Sequence, residues 1–502
     1  MKDNGLLVQY FTANTTDSQN LWKKAAEDAA ALKKMGATAV WFPPATKGAQ
    51  GKEDMGYAPY DLYDLGEFDQ KGSVGTRYGT KEEYLAAIKA MKTEGINVYA
   101  DVAVRQKLSA DKIEKVTAAD FNSKDIPQMI GNKKTVGALS KFTFPGRKTK
   151  YSKFKWNWRH FAGIDWQQDE FRKRVCALEG RNPEEAEKEF SKYDYIVGCE
   201  IDFYNQEVYD ELMSWAQWYE KNTDVDGYRF QEAEAIPAWF IKDFVAAVSD
   251  IPVTSRKKTN EDAPEFIHKD IFAVGDFWHW NVDYLNGYIK ATDDQVALFD
   301  VPLHFNFHDA SVADGAYNMA DLLKGSLMMS NPEKAVTFVD NHESQVGGIL
   351  ESYVEDWFKP LAYAVVLLRQ QGYPCLYIGD YAGIPQIKVK SKKTILNKLL
   401  KLRKKYAYGN QHDYFDHSDV VGWTREGDEE HKDSGLAVVM SDGVGGTKRM
   451  YVGRQFAGTH FADVMGNAKY DIKIDEEGCG EFYVNTVSYT HLRAHETSLH
   501  LV

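Results

Sequence analysis

The sequence predicts an α/β fold: a (β/α)8 TIM barrel with an inserted β-rich domain after its third strand and a C-terminal antiparallel β domain. Three observations carry this prediction. Eight short β-branched or aromatic runs recur along the 502 residues, most are followed by a segment of helical period, and three of them break at their ends into acidic or amide residues. Strands buried on both faces read as short apolar runs, and a barrel collects their polar C-terminal ends at one mouth.

The predicted strands are Leu6–Phe11, Thr38–Phe42, Ile96–Val104, Gly227–Gln231, Phe272–Trp278, Val296–Val301, Ala335–Asp340 and Pro374–Gly379. Between the first two, Asp17 to Gly36 sets Leu21, Ala25, Ala29 and Leu32 on one helical stripe. Before the third, Thr80-Lys-Glu-Glu83 is a capping box; Tyr84, Ile88 and Met91 trace a face that Gly95 ends. The interval 105–205 is too long for a loop. Its Phe142-Thr-Phe-Pro-Gly-Arg147 and Lys155-Trp-Asn-Trp158 segments read as an inserted domain, leaving 1–104 and 206–407 to the barrel. After the eighth strand comes a basic helix, Lys393 to Lys405. Short alternating strands with Gly-rich turns such as Ser441-Asp-Gly-Val-Gly-Gly446 then make residues 408–487 a β domain. The stretch 488–502 holds His491, His495 and His500 without strand alternation. It reads as a non-native tail standing in place of a last strand, and it is set aside from functional reasoning.

A net charge of -13 argues against a nucleic-acid or membrane-surface partner and is compatible with neutral ligands such as sugars. Cys176, Cys199, Cys375 and Cys479 are far apart and match neither a zinc nor a disulfide pattern, so thiols in a reducing compartment are expected. Met1 to Phe11 lacks the charged, apolar and small-residue succession of a signal peptide, and no apolar run reaches the ~18 residues of a membrane span. A cytoplasmic location is the expectation.

The three polar strand ends are Asp226-Gly-Tyr-Arg-Phe-Gln231, Phe272-Ala-Val-Gly-Asp276-Phe-Trp278 and Phe338-Val-Asp-Asn-His-Glu343-Ser344. Further marks are Gly56-Tyr-Ala-Pro-Tyr-Asp-Leu-Tyr-Asp-Leu-Gly-Glu-Phe68, Asp300-Val-Pro-Leu-His-Phe305, Gly379-Asp-Tyr-Ala-Gly-Ile-Pro385 and Gly422-Trp-Thr-Arg-Glu-Gly427. In order and spacing these resemble the α-amylase family of retaining glycoside hydrolases (family 13), the intracellular and bacterial liquefying type in particular.

The resemblance implies a nucleophile two residues after Arg229, an acid ending the fifth strand and a third carboxylate after Asn-His on the seventh. Those positions hold Gln231, Asp276 and Glu343. A retaining enzyme needs two carboxyl groups about 5–5.5 Å apart across the scissile bond. An amide cannot displace the leaving group and form an ester-linked intermediate. Asp276 can still donate a proton, but its carboxyl is set back by about one methylene, a misplacement of a kind that can cost about 10²-fold. Tyr57, Asp101, Arg229, Trp278 and His342 match the family's substrate-binding positions. Its Lys-His pair after the nucleophile is replaced by Glu234-Ala235, its His in the third-strand motif by Gln106, and its Glu-Trp-Tyr by Thr12-Ala-Asn14. Strand alternation points Glu232 away from the face used by Gln231.

No cofactor is expected beyond calcium, which the resemblance leaves open only if its site survives. Asp194, Glu200 and Asp202 match the family's acidic stretch, but Arg105 stands where a neutral ligand belongs, and a guanidinium cannot coordinate a cation. Arg105 is expected to fork onto Glu200 or Asp194 in the metal's stead. The residues order three readings. The first is a protein of starch, glycogen or maltodextrin metabolism that binds α-1,4-glucan, oligosaccharide or polysaccharide, with retaining hydrolysis absent or greatly reduced. The second is an active endohydrolase with altered chemistry, in an inverting version of which Asp276 protonates the leaving oxygen while Glu343 or Glu232 activates water positioned by Gln231. The third is a scaffold that has lost sugar binding.

Overall fold

The computed structural model describes residues 4–16, 18, 20–122, 128–167, 172–178, 198–252, 266–467, 470–485 and 488–495. Eight parallel strands close a barrel in sequential order: β1 Leu7–Gln9, β2 Ala39–Phe42, β3 Asn97–Val102, β4 Gly227–Phe230, β5 Phe272–Gly275, β6 Ala297–Phe299, β7 Ala335–Phe338 and β8 Tyr373–Tyr377. Each lies within or beside a predicted run, one to three residues shorter at most ends. Ladder pairing stops where the chain turns into the polar mouth, so Gln231, Asp276 and Asp340 fall just past their strands. Register fixes the site's first contact: Arg229 on β4 is paired with Asp101 on β3 and Val274 on β5.

The helices of ten residues or more, among the described residues, are α1 Leu21–Met35, α2 Lys81–Thr93, α3 Gln206–Thr223, α4 Ala238–Ser249, α5 Val282–Ala291, α6 Val301–Val312, α7 Lys359–Leu368 and α8 Lys393–Tyr406. In α1 the predicted stripe is buried with Trp22. In α2 the capping box forms, with Glu83 Oε2 accepting from the Thr80 N–H at 2.8 Å and Thr80 Oγ1 from the Glu83 N–H at 3.4 Å. Such reciprocal caps meet two of the four N–H groups a helix start leaves open. Among the described residues no helix is long and apolar enough to cross a membrane.

Between β3 and β4 stands a six-stranded antiparallel sheet, in order Gln106–Lys107, Cys199–Ile201, Phe161–Gln167, Arg172–Leu178, Lys112–Asn122 and Gln128–Lys141. Lys107 ties it to the barrel. Its buried ammonium donates to the Tyr60 carbonyl at 2.7 Å and lies 5.1 Å from the ring centres of both Phe142 and Trp156. Burial pushes its pKa down to about 7.

The C-terminal part holds a six-stranded sheet and a pair of strands, Gly446–Tyr451 with Cys479–Val484. The stretch read as a tail without strand character differs from that expectation. Ser488–His495 is a strand between Leu436–Ser441 and His460–Asp463, antiparallel to both. Pairing needs only backbone N–H and C=O groups, and the buried strand Leu436–Ser441 presents an edge that must be met whatever side chains arrive. Residues 496–502 lie outside the described residues.

Candidate functional site

At the C-terminal mouth of the barrel the side chains organise around one cation. Arg229 is fully buried; its Nη1 donates to both oxygens of Asp101, at 3.0 and 3.1 Å. Its Nη2 pairs with Asp276 and lies 3.6 Å from Glu343 Oε2. Asp101 Oδ2 accepts further from Trp41 Nε1 at 3.0 Å and from the Tyr57 hydroxyl at 2.7 Å. A carboxylate with these donors is fixed in place, and it locks the guanidinium fork that reaches Asp276.

Tyr57 stacks on His342 with ring centres 5.1 Å apart and planes 16° from parallel. The His342 Nδ1 takes a hydrogen bond from the Gln9 amide at 3.0 Å, which assigns the ring proton to Nε2. Burial, and then Arg229, hold the His342 pKa well below its ordinary value, so the ring is neutral.

Gln231 follows β4 directly, its N–H donating to the Val102 carbonyl at 3.0 Å. Its side-chain amide has no hydrogen-bond partner among the described residues. Asp276 occupies the next strand end, its N–H bonded to the Phe230 carbonyl at 2.9 Å. Glu343 is presented by a turn in which Asn341 Oδ1 accepts from the N–H groups of Glu343 and Ser344, both at 2.8 Å. The Glu343 and Asp276 carboxyls converge on the same nitrogen, Arg229 Nη2, with Glu343 Oε2 3.6 Å from it. Burial first, and then Asp276, push the Glu343 pKa well above its ordinary value, against the pull of Arg229. Burial and a neighbouring acid thus both favour the neutral form of Glu343.

The cluster thus joins Asp101, Arg229, Asp276, Glu343, Tyr57 and His342, with Gln231 on the adjoining strand end. Trp278 stands apart, half-buried on a wall with Phe338 and His304, its ring centre 6.2 and 5.5 Å from theirs. Buried polar atoms without partners among the described residues gather here: His342 Nε2, Gln9 Oε1, Arg229 Nε and Glu234 Oε2. Each costs about 1–3 kcal/mol unless a water or ligand group meets it.

Several participants escaped the sequence reading. Gln9 and Trp41 carry no motif of their own; only the barrel register brings them to His342 and Asp101. Glu232 does not follow strand alternation, because β4 ends at Phe230 and Glu232 adopts a left-handed conformation with φ 48°. That turn brings it onto Arg105, with which it forms an ion pair. Arg105 Nε lies 3.9 Å from Glu200 Oε1, so the guanidinium sits closer to Glu232 than to the expected Glu200. Asp202 Oδ1 accepts from the Tyr204 N–H at 3.1 Å, and Asp194 lies outside the described residues. Calcium takes six to eight oxygens, several of them anionic. A guanidinium holding Glu232 and approaching Glu200 does not fit that requirement. Beside it Glu234 has its pKa pushed up to about 8 by burial and then by Asp276.

Barrel, inserted sheet and carboxyl-lined mouth define a multidomain (β/α)8 protein of the kind that includes retaining glycoside hydrolases. Comparison narrows the class. Residues 22–414 match the model of the alpha amylase catalytic domain, and residues 436–490 that of the alpha-amylase C-terminal domain. The chain is 44% identical over 485 residues to an α-amylase of Geobacillus stearothermophilus, covering 96% of this chain and 85% of that one. It is 35% identical over 498 residues to the cytoplasmic α-amylase of Escherichia coli, covering 96% and 97%. The fold is similar to that of a Geobacillus thermoleovorans α-amylase solved with acarbose, at TM-score 0.60 and 15% identity over 98% of both chains. The chain belongs to the α-amylase family.

Proposed function

We propose that the chain binds α-1,4-glucan in starch, glycogen or maltodextrin metabolism, in the cytoplasm, with retaining hydrolysis absent or greatly reduced. One observation carries the second half of this reading: Gln231, whose amide cannot form the glycosyl ester, stands at the strand end where the family's nucleophile is expected. The binding half draws support from what survives around it. Tyr57 and Trp278 offer ring faces, His342 Nε2–H a donor, and Arg229 with Asp101 a rigid frame. The acarbose complex of a structural neighbour and the cytoplasmic name of the Escherichia coli relative agree with ligand class and location.

An inverting route is disfavoured by geometry. It asks for carboxylates about 6.5–9.5 Å apart with water between them, whereas Asp276 and Glu343 converge on one nitrogen, Arg229 Nη2, and Glu232 is engaged by Arg105. A pure scaffold is disfavoured by the unpartnered polar atoms of the mouth, which a structural role would have selected away.

The test is reducing-sugar release from soluble starch by the parent and by the triple variant Gln231→Asp, Asp276→Glu, Glu343→Asp. The parent is expected to release sugar at a small fraction of the triple variant's rate. A parent already as fast as the triple variant would overturn the proposal.

A further inference from the structure

We infer that a second carbohydrate platform lies on the barrel rim, outside the cleft: the rings of Trp280, His279 and Tyr284, with a separate aromatic pair, Trp239 and Tyr204, at the starts of the two preceding helices, seat outlying glucosyl units of an α-glucan whose end lies in the cleft. This rests on the α-glucan reading above and adds a site to it.

Trp280 is 71% exposed and Tyr284 48%. A lone exposed ring would mean little, but these form a stack. The His279 ring lies 5.7 Å from Trp280 with planes 19° apart, and 4.4 Å from Tyr284. The stack is ordered from behind. His279 Nδ1 accepts the Asn281 N–H at 3.0 Å, and the Asn281 side chain caps α5 by accepting the Asp283 N–H at 2.9 Å. Rings held in place before the ligand arrives lose little freedom on binding.

Position supplies the occupant. Trp280 is four residues beyond Asp276, on the segment that climbs from the end of β5 to the start of α5. Tyr204, 52% exposed, precedes α3 and lies 5.5 Å from Trp239 at the start of α4; Tyr209 of α3 lies 6.1 Å from the same ring. Helices α3 and α4 pack together, as do α4 and α5. Aromatic rings therefore stand at the starts of three successive helices, all on the face where the strands end. Flat rings offer apolar area to the C–H faces of sugars and leave the hydroxyl edges in water. Nucleic-acid bases also stack on such rings, but only with a cationic groove for the phosphates, and the chain carries a net charge of -13.

The experiment compares the parent with Trp280→Ala, Trp280→Phe and the double variant Trp280→Ala, Trp239→Ala. Soluble starch in a native gel probes the long ligand, and maltotriose titrated calorimetrically probes the cleft. Tyr470→Ala, an exposed ring of the C-terminal domain, is the control. Thermal unfolding confirms that each variant folds, as the exposure of Trp280 predicts. Trp280→Ala is expected to weaken starch affinity about five-fold, the double variant more, and Trp280→Phe little, with maltotriose affinity unchanged throughout. A retarded parent with equally retarded Trp280 variants overturns the platform and leaves the function standing. Equal losses for starch and maltotriose also overturn it, since the ring would then belong to the cleft. A parent that binds neither ligand overturns the function and the platform together.

Discussion

Two buried charge clusters lie at the same end of this barrel and are built to opposite rules. In the first, Lys359 at the start of α7 sits between Asp340 and Asp380, 2.8 Å from Asp340 Oδ2 and closer still to Asp380. Asp340 also accepts from Ser344 Oγ at 2.8 Å, and Asp380 from the Tyr363 hydroxyl at 2.7 Å. None of the lysine or carboxylate atoms is left without a partner. In the second, Arg229 holds Asp101 completely, but Asp276 Oδ1, Glu343 Oε2, His342 Nε2 and Gln9 Oε1 have no hydrogen-bond partner among the described residues. The difference teaches where ligand chemistry belongs: a closed cluster fastens one element to another, and an open one waits for hydroxyl groups.

The largest expected effect breaks the closed cluster. Lys359→Met leaves two buried carboxyls facing each other and should cost about 3–5 kcal/mol of stability, read as a lower urea midpoint at unchanged slope. The open cluster should respond in the opposite sense. Glu343→Gln removes a buried carboxyl whose charge burial and Asp276 both disfavour, and should leave stability unchanged or raise it by up to about 1 kcal/mol. If both variants destabilise alike, the contrast between fastening and waiting is wrong.

The open cluster should also show in the pH dependence of stability. Glu234 has its folded pKa raised from 4.5 to about 8. Between those values the folded state binds more protons than the unfolded chain, so stability falls as pH rises through that window. Glu234→Gln should flatten the fall, measured as urea midpoints from pH 5 to pH 8.5. An unchanged slope in the variant would remove Glu234 as its source.

The closed features were the legible ones. The capping box at Thr80 and the stripe of α1 read directly, because burial on one face leaves a period that residues three and four apart must obey. All eight strands were visible for the same reason: burial on both faces leaves apolar runs. The cleft positions followed from resemblance, residue by residue, not from any period. What stayed hidden was set by turns and by pairing across the chain. Glu232 reached Arg105 through a left-handed residue that no alternation encodes. Gln9 met His342 across 333 positions. Ser488–His495 joined a sheet through its backbone, which composition does not reveal.

The smallest expected effect is an absence of response, and it tests the same division at the junction of barrel and insertion. Arg105 is there the cation, held by Glu232 and approached by Glu200. Burial works against its charge, yet Glu200 and Glu232 raise its pKa, so the guanidinium stays protonated. A permanent side-chain charge needs no metal loading, and the junction should then be indifferent to chelation. Thermal midpoints with excess EDTA and with added calcium are expected to agree within error. Arg105→Asn returns a neutral ligand beside uncompensated carboxylates and should create a dependence where none existed, with a lower midpoint in EDTA that calcium restores. One tightly held calcium per parent chain, found by metal analysis of protein purified without chelator, would show that the arginine accompanies the ion and does not replace it.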